Sequence, residues 1–301
     1  MKPDNPRAAS GSLIERASAI YDFESMLRVP NVQPANIASP ARADIFEPDV
    51  ALSPTISRSP VVVDLSNLRQ KGFIQPGAAP TILSEEFRLV KRQLLLSALG
   101  GRKTAAVEGA RAILVCSSQP NEGKTFCSVN LALSMASESD IEVLLIDADV
   151  AKPEILSTLG IEGGAGLMDA ISDPAVDVER LIIPTSVPSL SILPAGRQTH
   201  SDTEKLASAR TRLVIESLLA ANPARILIID TAPVLVASPA SVLAAHIGQI
   251  LMVVRADRTG ESELREAVQL LDGCKHIQML LNGASYAGAN QKYGTYYGHG
   301  G

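Results

Sequence analysis

Ser117-Ser118-Gln119-Pro120-Asn121-Glu122-Gly123-Lys124-Thr125 is the stretch from which the rest of this chain can be read. Immediately before it, Ala112-Ile113-Leu114-Val115-Cys116 is a continuous apolar run of the kind a buried parallel strand requires. Immediately after it, residues 126–136 read as a helix packed on a sheet. A strand, a tight turn ending Gly-Lys-Thr and a helix together make a phosphate-binding loop. Successive backbone N–H groups line a concave anion site there, and the positive end of the helix dipole faces the same point. Gly123 admits close approach of backbone to phosphate, Lys124 supplies a mobile charge, and Thr125 offers its hydroxyl to Mg²⁺. Gln119, Pro120, Asn121, Glu122, Gly123, Lys124, Thr125 and Phe126 are therefore the expected nucleotide-binding turn. The Gly usual five residues before Gly123 is Ser118, so the turn alone also fits an ordinary strand–turn–helix.

The sequence that follows removes that alternative. Strands are expected at residues 142–146, 190–193, 225–229, 249–254 and 277–281, alternating with helices at 205–221 and 261–271. Functional groups recur where these strands end: Asp147 and Asp149, Asp230, Arg255 and Asn282. Ligands of open α/β sheets bind at that edge, so Arg255 and Asn282 join the expected nucleotide-binding set. Four aliphatic residues followed by Asp230 form the pattern that holds Mg²⁺ through water in P-loop enzymes. A carboxylate there also suits a helix cap, but two acidic strand ends in one such domain favour the metal. The expected metal set is Thr125, Asp147 and Asp230. Asp147 is read as metal-water ligand and base, with Asp149 its partner or a substrate-side carboxylate. The fold class is α/β, a mainly parallel sheet covered by helices on both faces.

Composition fits this reading. With 46% hydrophobic residues and no Trp among 301, the core must be aliphatic. A net charge of −5 gives nucleic acid no electrostatic footprint as a partner. Cys116, Cys127 and Cys274 form no CxxC pair, which argues against zinc. The polar start has no apolar leader and no stretch is long enough to span a bilayer, so a cytoplasmic protein is expected. Ten of the nineteen prolines fall in residues 1–80, which are read as a mostly disordered segment with two islands able to order, 13–21 and 61–65. The domain proper is placed at 81–285. It opens with a helix capped by Ser84, whose Leu83, Phe87, Val90, Leu94 and Leu95 share one face. Glu85, Arg88 and Lys91 lie opposite, either as a solvated row with weak internal ion pairs or as a row reaching a neighbouring subunit.

The last sixteen residues carry Tyr286, Tyr293, Tyr296 and Tyr297 among glycines and polar residues. Too little there is apolar to fold, so 286–301 is read as a flexible tail. Glycine–tyrosine tails are also adhesive in other settings. Phenols tethered to an ATP site point instead to self-phosphorylation.

These motifs together resemble the bacterial tyrosine autokinases of exopolysaccharide loci, over about residues 81–301, and most closely their stand-alone, exosortase-associated form. Residues 117–125 are similar to that family's phosphate loop, residues 144–153 to its second acidic motif, residues 226–233 to its third, and the tyrosine tail to its autophosphorylation cluster. Glu85-x-x-Arg88-x-x-Lys91 resembles its oligomerisation motif, with Lys in place of the final Arg, and raises the intersubunit reading. Asn121 stands where Gly is common and is expected to take the same left-handed turn. The resemblance implies an ATP- and Mg²⁺-dependent tyrosine autokinase that regulates polysaccharide polymerisation or export. It further implies a homo-oligomer, a membrane-embedded chain-length-determinant partner that brings the chain to the inner membrane, and a protein-tyrosine phosphatase. The rival is a partition or cell-division ATPase acting as a nucleotide switch. Those proteins carry a lysine five residues before the loop lysine, where this chain has Gln119, and lack a tyrosine tail.

Overall fold

The computed structural model describes residues 59–284. The helix expected at 13–21 and the four tail tyrosines lie outside the described residues.

In chain order the elements are α1 (Leu65–Gln70), α2 (Ile82–Leu99), β1 (Ala112–Ser117), α3 (Lys124–Met135), β2 (Glu142–Asp147), α4 (Ile155–Leu159), α5 (Leu167–Ser172), β3 (Ile183–Pro184) and β4 (Leu190–Leu193). They continue with α6 (Asp202–Leu206), α7 (Ala209–Ala221), β5 (Arg225–Asp230), α8 (Pro239–Ala244), β6 (Gln249–Arg255), α9 (Glu261–Gln269) and β7 (Ile277–Asn282). Seven strands form one sheet in the order β3-β4-β2-β5-β1-β6-β7, parallel throughout except for the β3–β4 pair.

Alternating strand residues feed two aliphatic cores. Leu114 and Cys116 of β1 face one side, packed with Met168, Val214, Leu218 and Leu243. Ile113 and Val115 face the other, packed with Phe87, Leu94, Leu131 and Leu133. Each such fully buried Leu or Ile contributes roughly 1.5–3 kcal/mol, which is how a chain without Trp sustains this core. Burial pushes the Cys127 thiol up to about 12 and raises that of Cys116 as well, so both are inert packing groups.

Three expectations are corrected. The ordered domain begins well before residue 81: Val61 pairs with the sheet edge through Pro184 and Ser186, and Val63, Leu68 and Ile74 are buried in the α2/α3 core. The stretch 61–75 contains no proline, so the compositional boundary stood too late. The α2 cap is Thr81, whose hydroxyl accepts the Ser84 N–H at 3.1 Å while Ser84 Oγ accepts the Thr81 N–H at 2.7 Å. Ser84 is thus the reciprocal partner inside the first turn. The single helix expected at 205–221 is two, because Ser208 is extended and the Thr211 hydroxyl donates to the Lys205 carbonyl at 2.8 Å.

Lys91 corrects the reading of α2. It is 7% exposed within the chain and so is not part of a solvated row. Its ammonium donates to the Ser134 carbonyl at 2.9 Å and the Ser137 hydroxyl at 3.2 Å, and pairs with Glu138 at 2.5 Å, all in the same chain. Glu85 and Arg88 pair with each other at 3.1 Å on the surface.

Candidate active site

The order β2-β5-β1 sets the site, because it lays three strand ends side by side. Asp147 ends β2, Asp230 ends β5 in register beside it, and the phosphate loop leaves β1. Asn121 (φ 63°) and Gly123 (φ 95°) are both left-handed, so the loop turns as expected despite the missing first Gly. A side chain at Gly123 would collide with the Asn282 amide.

Lys124 opens α3 and its ammonium lies 2.8 Å from Asp149 Oδ2. Burial pulls the Lys124 pKa down, but Asp230, Asp149 and Glu154 outweigh it and hold the lysine above its ordinary value. Asp230 accepts the Thr125 hydroxyl at 2.6 Å and the Ser128 hydroxyl at 3.0 Å. It therefore does not cap a downstream helix, since α8 begins at Pro239. Burial lifts Asp230 to about 6 against the pull of Lys124, Thr125 and Ser128. Burial, then the neighbouring Asp230 charge, lifts Asp147 to about 7, although the N–H groups of Ile155 and Asp149 bond to its two oxygens at 3.1 and 3.2 Å.

A groove of about 500 Å³ opens over the loop. Pro120, Asn121, Gly123, Lys124, Thr125 and Phe126 line it, with Asp149, Lys152, Glu154, Pro233 and Val236 opposite. Of the two carboxylates weighed from sequence, Asp149 faces the groove and Asp147 sits behind it, its oxygens occupied by backbone. Gln119, Glu122, Arg255 and Asn282, expected to touch nucleotide, are not among its lining residues. They brace the loop from behind: Asn282 Nδ2 donates to the Glu122 carbonyl at 2.8 Å, and Gln119 Nε2 to Glu263 at 3.3 Å. Ser128, Lys152 and Glu154 were missed in the sequence. Ser128 lies three residues beyond Thr125, one helical step on the same face, which is the signal that points to it.

No family model matches the chain. Among relatives, the tyrosine-protein kinase CpsD of Streptococcus agalactiae serotype Ia is 30% identical over 176 residues, which are 58% of this chain and 74% of CpsD. The chain belongs to the bacterial tyrosine-protein kinases. Another relative, EpsB of Ralstonia nicotianae, is 29% identical over 195 residues, and the match spans 63% of this chain but only 25% of EpsB. The VpsO kinase domain superposes on this tyrosine-kinase family member at a TM-score of 0.53 with 27% identity, covering 68% of this chain and 100% of that domain. The chimerical protein CapA2B2 shares its fold at a TM-score of 0.60, 22% identity and coverage of 74% and 92%. Among the described residues of this family member, no helix is long and apolar enough to cross a membrane.

Proposed function

We propose that this chain is an ATP-dependent protein-tyrosine autokinase whose acceptors are Tyr286, Tyr293, Tyr296 and Tyr297. The observation that carries the reading is Lys124 on a phosphate-shaped loop, facing Asp149 across a groove backed by Asp147 and Asp230, in a chain of this family. The loop N–H groups and Lys124 bind and orient the phosphates. The phenol oxygen of a tail tyrosine attacks the γ-phosphorus, the bond to the β-phosphate oxygen breaks, and ADP leaves. Lys124 meets the charge on the phosphoryl oxygens. Asp149, the carboxylate that lines the groove, takes the phenol proton. Geometry favours it over Asp147 because Asp149 lines the groove and Asp147 does not; the Asp149 oxygens pair with Lys124 at 2.8 Å and accept the Lys152 N–H at 3.2 Å.

The residues also fit Mg²⁺. Asp147, Asp149 and Asp230 are each 4% exposed or less, and Lys124 acts on Asp149 and Asp230 but not on Asp147, a crowding that a divalent cation relieves. Among the described residues no three His, Cys, Asp or Glu groups form a metal cage. Mg²⁺ at phosphate sites relies instead on one or two carboxylates and the phosphates themselves. Thr125, Asp230 and Asp147 are the groups that would hold it, and it would neutralise phosphate charge there.

The family context supports a role in regulating exopolysaccharide polymerisation or export, with a membrane chain-length protein holding the chain at the inner membrane and a phosphatase resetting it. Self-association is supported by the exposed apolar side chains of α2, Ile82, Leu89, Leu96 and Leu99, beside Arg88. The test is mass-spectrometric mapping after incubation with ATP and Mg²⁺. Phosphotyrosine confined to the tail, and lost when all four tyrosines become Phe, is expected. Label on serine, threonine or Tyr21 contradicts the acceptor assignment.

A further inference from the structure

Glu122 sits between the two left-handed residues of the phosphate loop and is 1% exposed. A carboxylate so close to an anion site opposes phosphate electrostatically, so whatever it contributes to binding must come through shape. Its hydrogen bonds say what shape. One carboxylate oxygen accepts the Gln119 N–H at 2.8 Å, which closes the loop on itself. The other accepts the hydroxyl of Thr259, and that hydroxyl oxygen in turn accepts the Arg255 N–H at 2.8 Å at the end of β6. The Glu122 carbonyl accepts the Asn282 amide, which ends β7 and lies against Gly123.

We propose that Glu122 and Thr259 form a clasp that positions the phosphate loop, with Glu122 the positioning residue and Thr259 its anchor on the β6 end. The inference rests on the nucleotide reading of the groove, but not on phosphoryl transfer. Neither residue touches the ligand. The clasp holds the loop N–H groups convergent before the anion arrives, so the protein does not meet that ordering cost at each binding event.

Thr259→Val and Thr259→Ser in the full chain separate this role from its alternatives, because both keep the loop's charge constant and only Ser keeps the hydroxyl. ADP affinity is read by calorimetry and KM and kcat by phosphate incorporation. We expect Thr259→Val to weaken ADP binding and raise KM for ATP about tenfold, with kcat within about twofold of wild type. Thr259→Ser should restore both. Equal affinity in all three proteins, or a loss that Ser does not restore, overturns the clasp. Amide hydrogen exchange on the wild-type chain gives a check that needs no variant: Gln119 and Arg255 should exchange slowly without nucleotide, and exchange at open-loop rates overturns the inference. A wild-type chain that binds ADP but forms no phosphotyrosine refutes the kinase reading alone. One that does not bind ADP refutes both.

Discussion

Replacing Lys91 with Met tests whether the third residue of the Glu85–Arg88–Lys91 row holds the fold or an interface. Met keeps the apolar stem and removes the ammonium, and with it the hydrogen bonds to the Ser134 carbonyl and Ser137 hydroxyl and the pair with Glu138. The Glu138 side chain is 46% exposed, so the screened ion pair contributes under about 1 kcal/mol. The two hydrogen bonds from a charged donor near the C-terminal end of α3, one buried and one partly so, matter more. Ser137 still donates to the Ser134 carbonyl at 2.7 Å in the variant, which softens the loss. The net cost is about 1–3 kcal/mol. In a domain of about 200 residues that lowers the melting temperature by about 3–8 °C. Arg88→Ala, which removes an exposed pair, should change stability by less than about 0.5 kcal/mol. Thermal melts by circular dichroism and sedimentation velocity on the same samples give the comparison. A Lys91→Met protein that melts like wild type yet loses its oligomer refutes the intrachain role.

Other outcomes follow from the same geometry. Asp149→Asn should reduce kcat at least about 100-fold with little change in ADP affinity, whereas Asp147→Asn should weaken the Mg²⁺ dependence of ADP binding; the reverse pattern restores Asp147 as the base. Asp147 and Asp230 titrate near 7 and 6 in the folded state against an ordinary 3.8, so the folded form holds their protons more tightly than the unfolded one. Their contribution to stability is complete below about pH 4 and is lost as pH rises through 6 to 7. Asp147→Asn should therefore flatten the fall in melting temperature between pH 5 and pH 8 in nucleotide-free protein; a wild-type slope retained in the variant counts against it. Phe73 packs on Phe126, which lines the groove, at 4.8 Å between ring centroids, and the Ile74 N–H reaches Asn130 Oδ1 at 2.8 Å. Phe73→Ala should lower stability by about 1–2 kcal/mol, less than a fully buried Phe because Phe73 is only partly buried, and raise KM for ATP, measured by melts and initial rates; an unchanged melt would show that the 61–75 segment is not part of the domain.

The sheet was legible because its central strands are aliphatic runs, as Ile226-Leu227-Ile228-Ile229 shows, and β2, β5, β6 and β7 end in residues with chemistry to offer. The loop was legible from Gly123-Lys124-Thr125, and its departures from pattern were harmless because Asn121 does adopt a left-handed φ. Lys91 was not legible. A three-residue spacing falls about 60° short of a helical turn, so the row from Glu85 winds toward the core, and Lys91 arrives on the Phe87 and Leu94 face. Which carboxylate faces the groove depended on the turn after Asp147, whose backbone no periodicity encodes. Arg255 and Asn282 were placed at the correct sheet edge, but strand-end position does not say whether a side chain meets ligand or loop. The island expected at 61–65 does dock on the sheet edge, but prolines on both sides hid how far the packing runs, through Leu68 to Ile74.

The central claim is phosphoryl transfer from ATP to this chain's own tyrosines by way of Lys124. Wild type and Lys124→Met, purified identically and matched for secondary structure by circular dichroism, are incubated with ATP and Mg²⁺ and analysed by mass spectrometry. Phosphate is expected on one or more of Tyr286, Tyr293, Tyr296 and Tyr297 in the wild type, with at least a 100-fold loss in the variant. Equal phosphotyrosine in the two proteins, or none in the wild type, would contradict it.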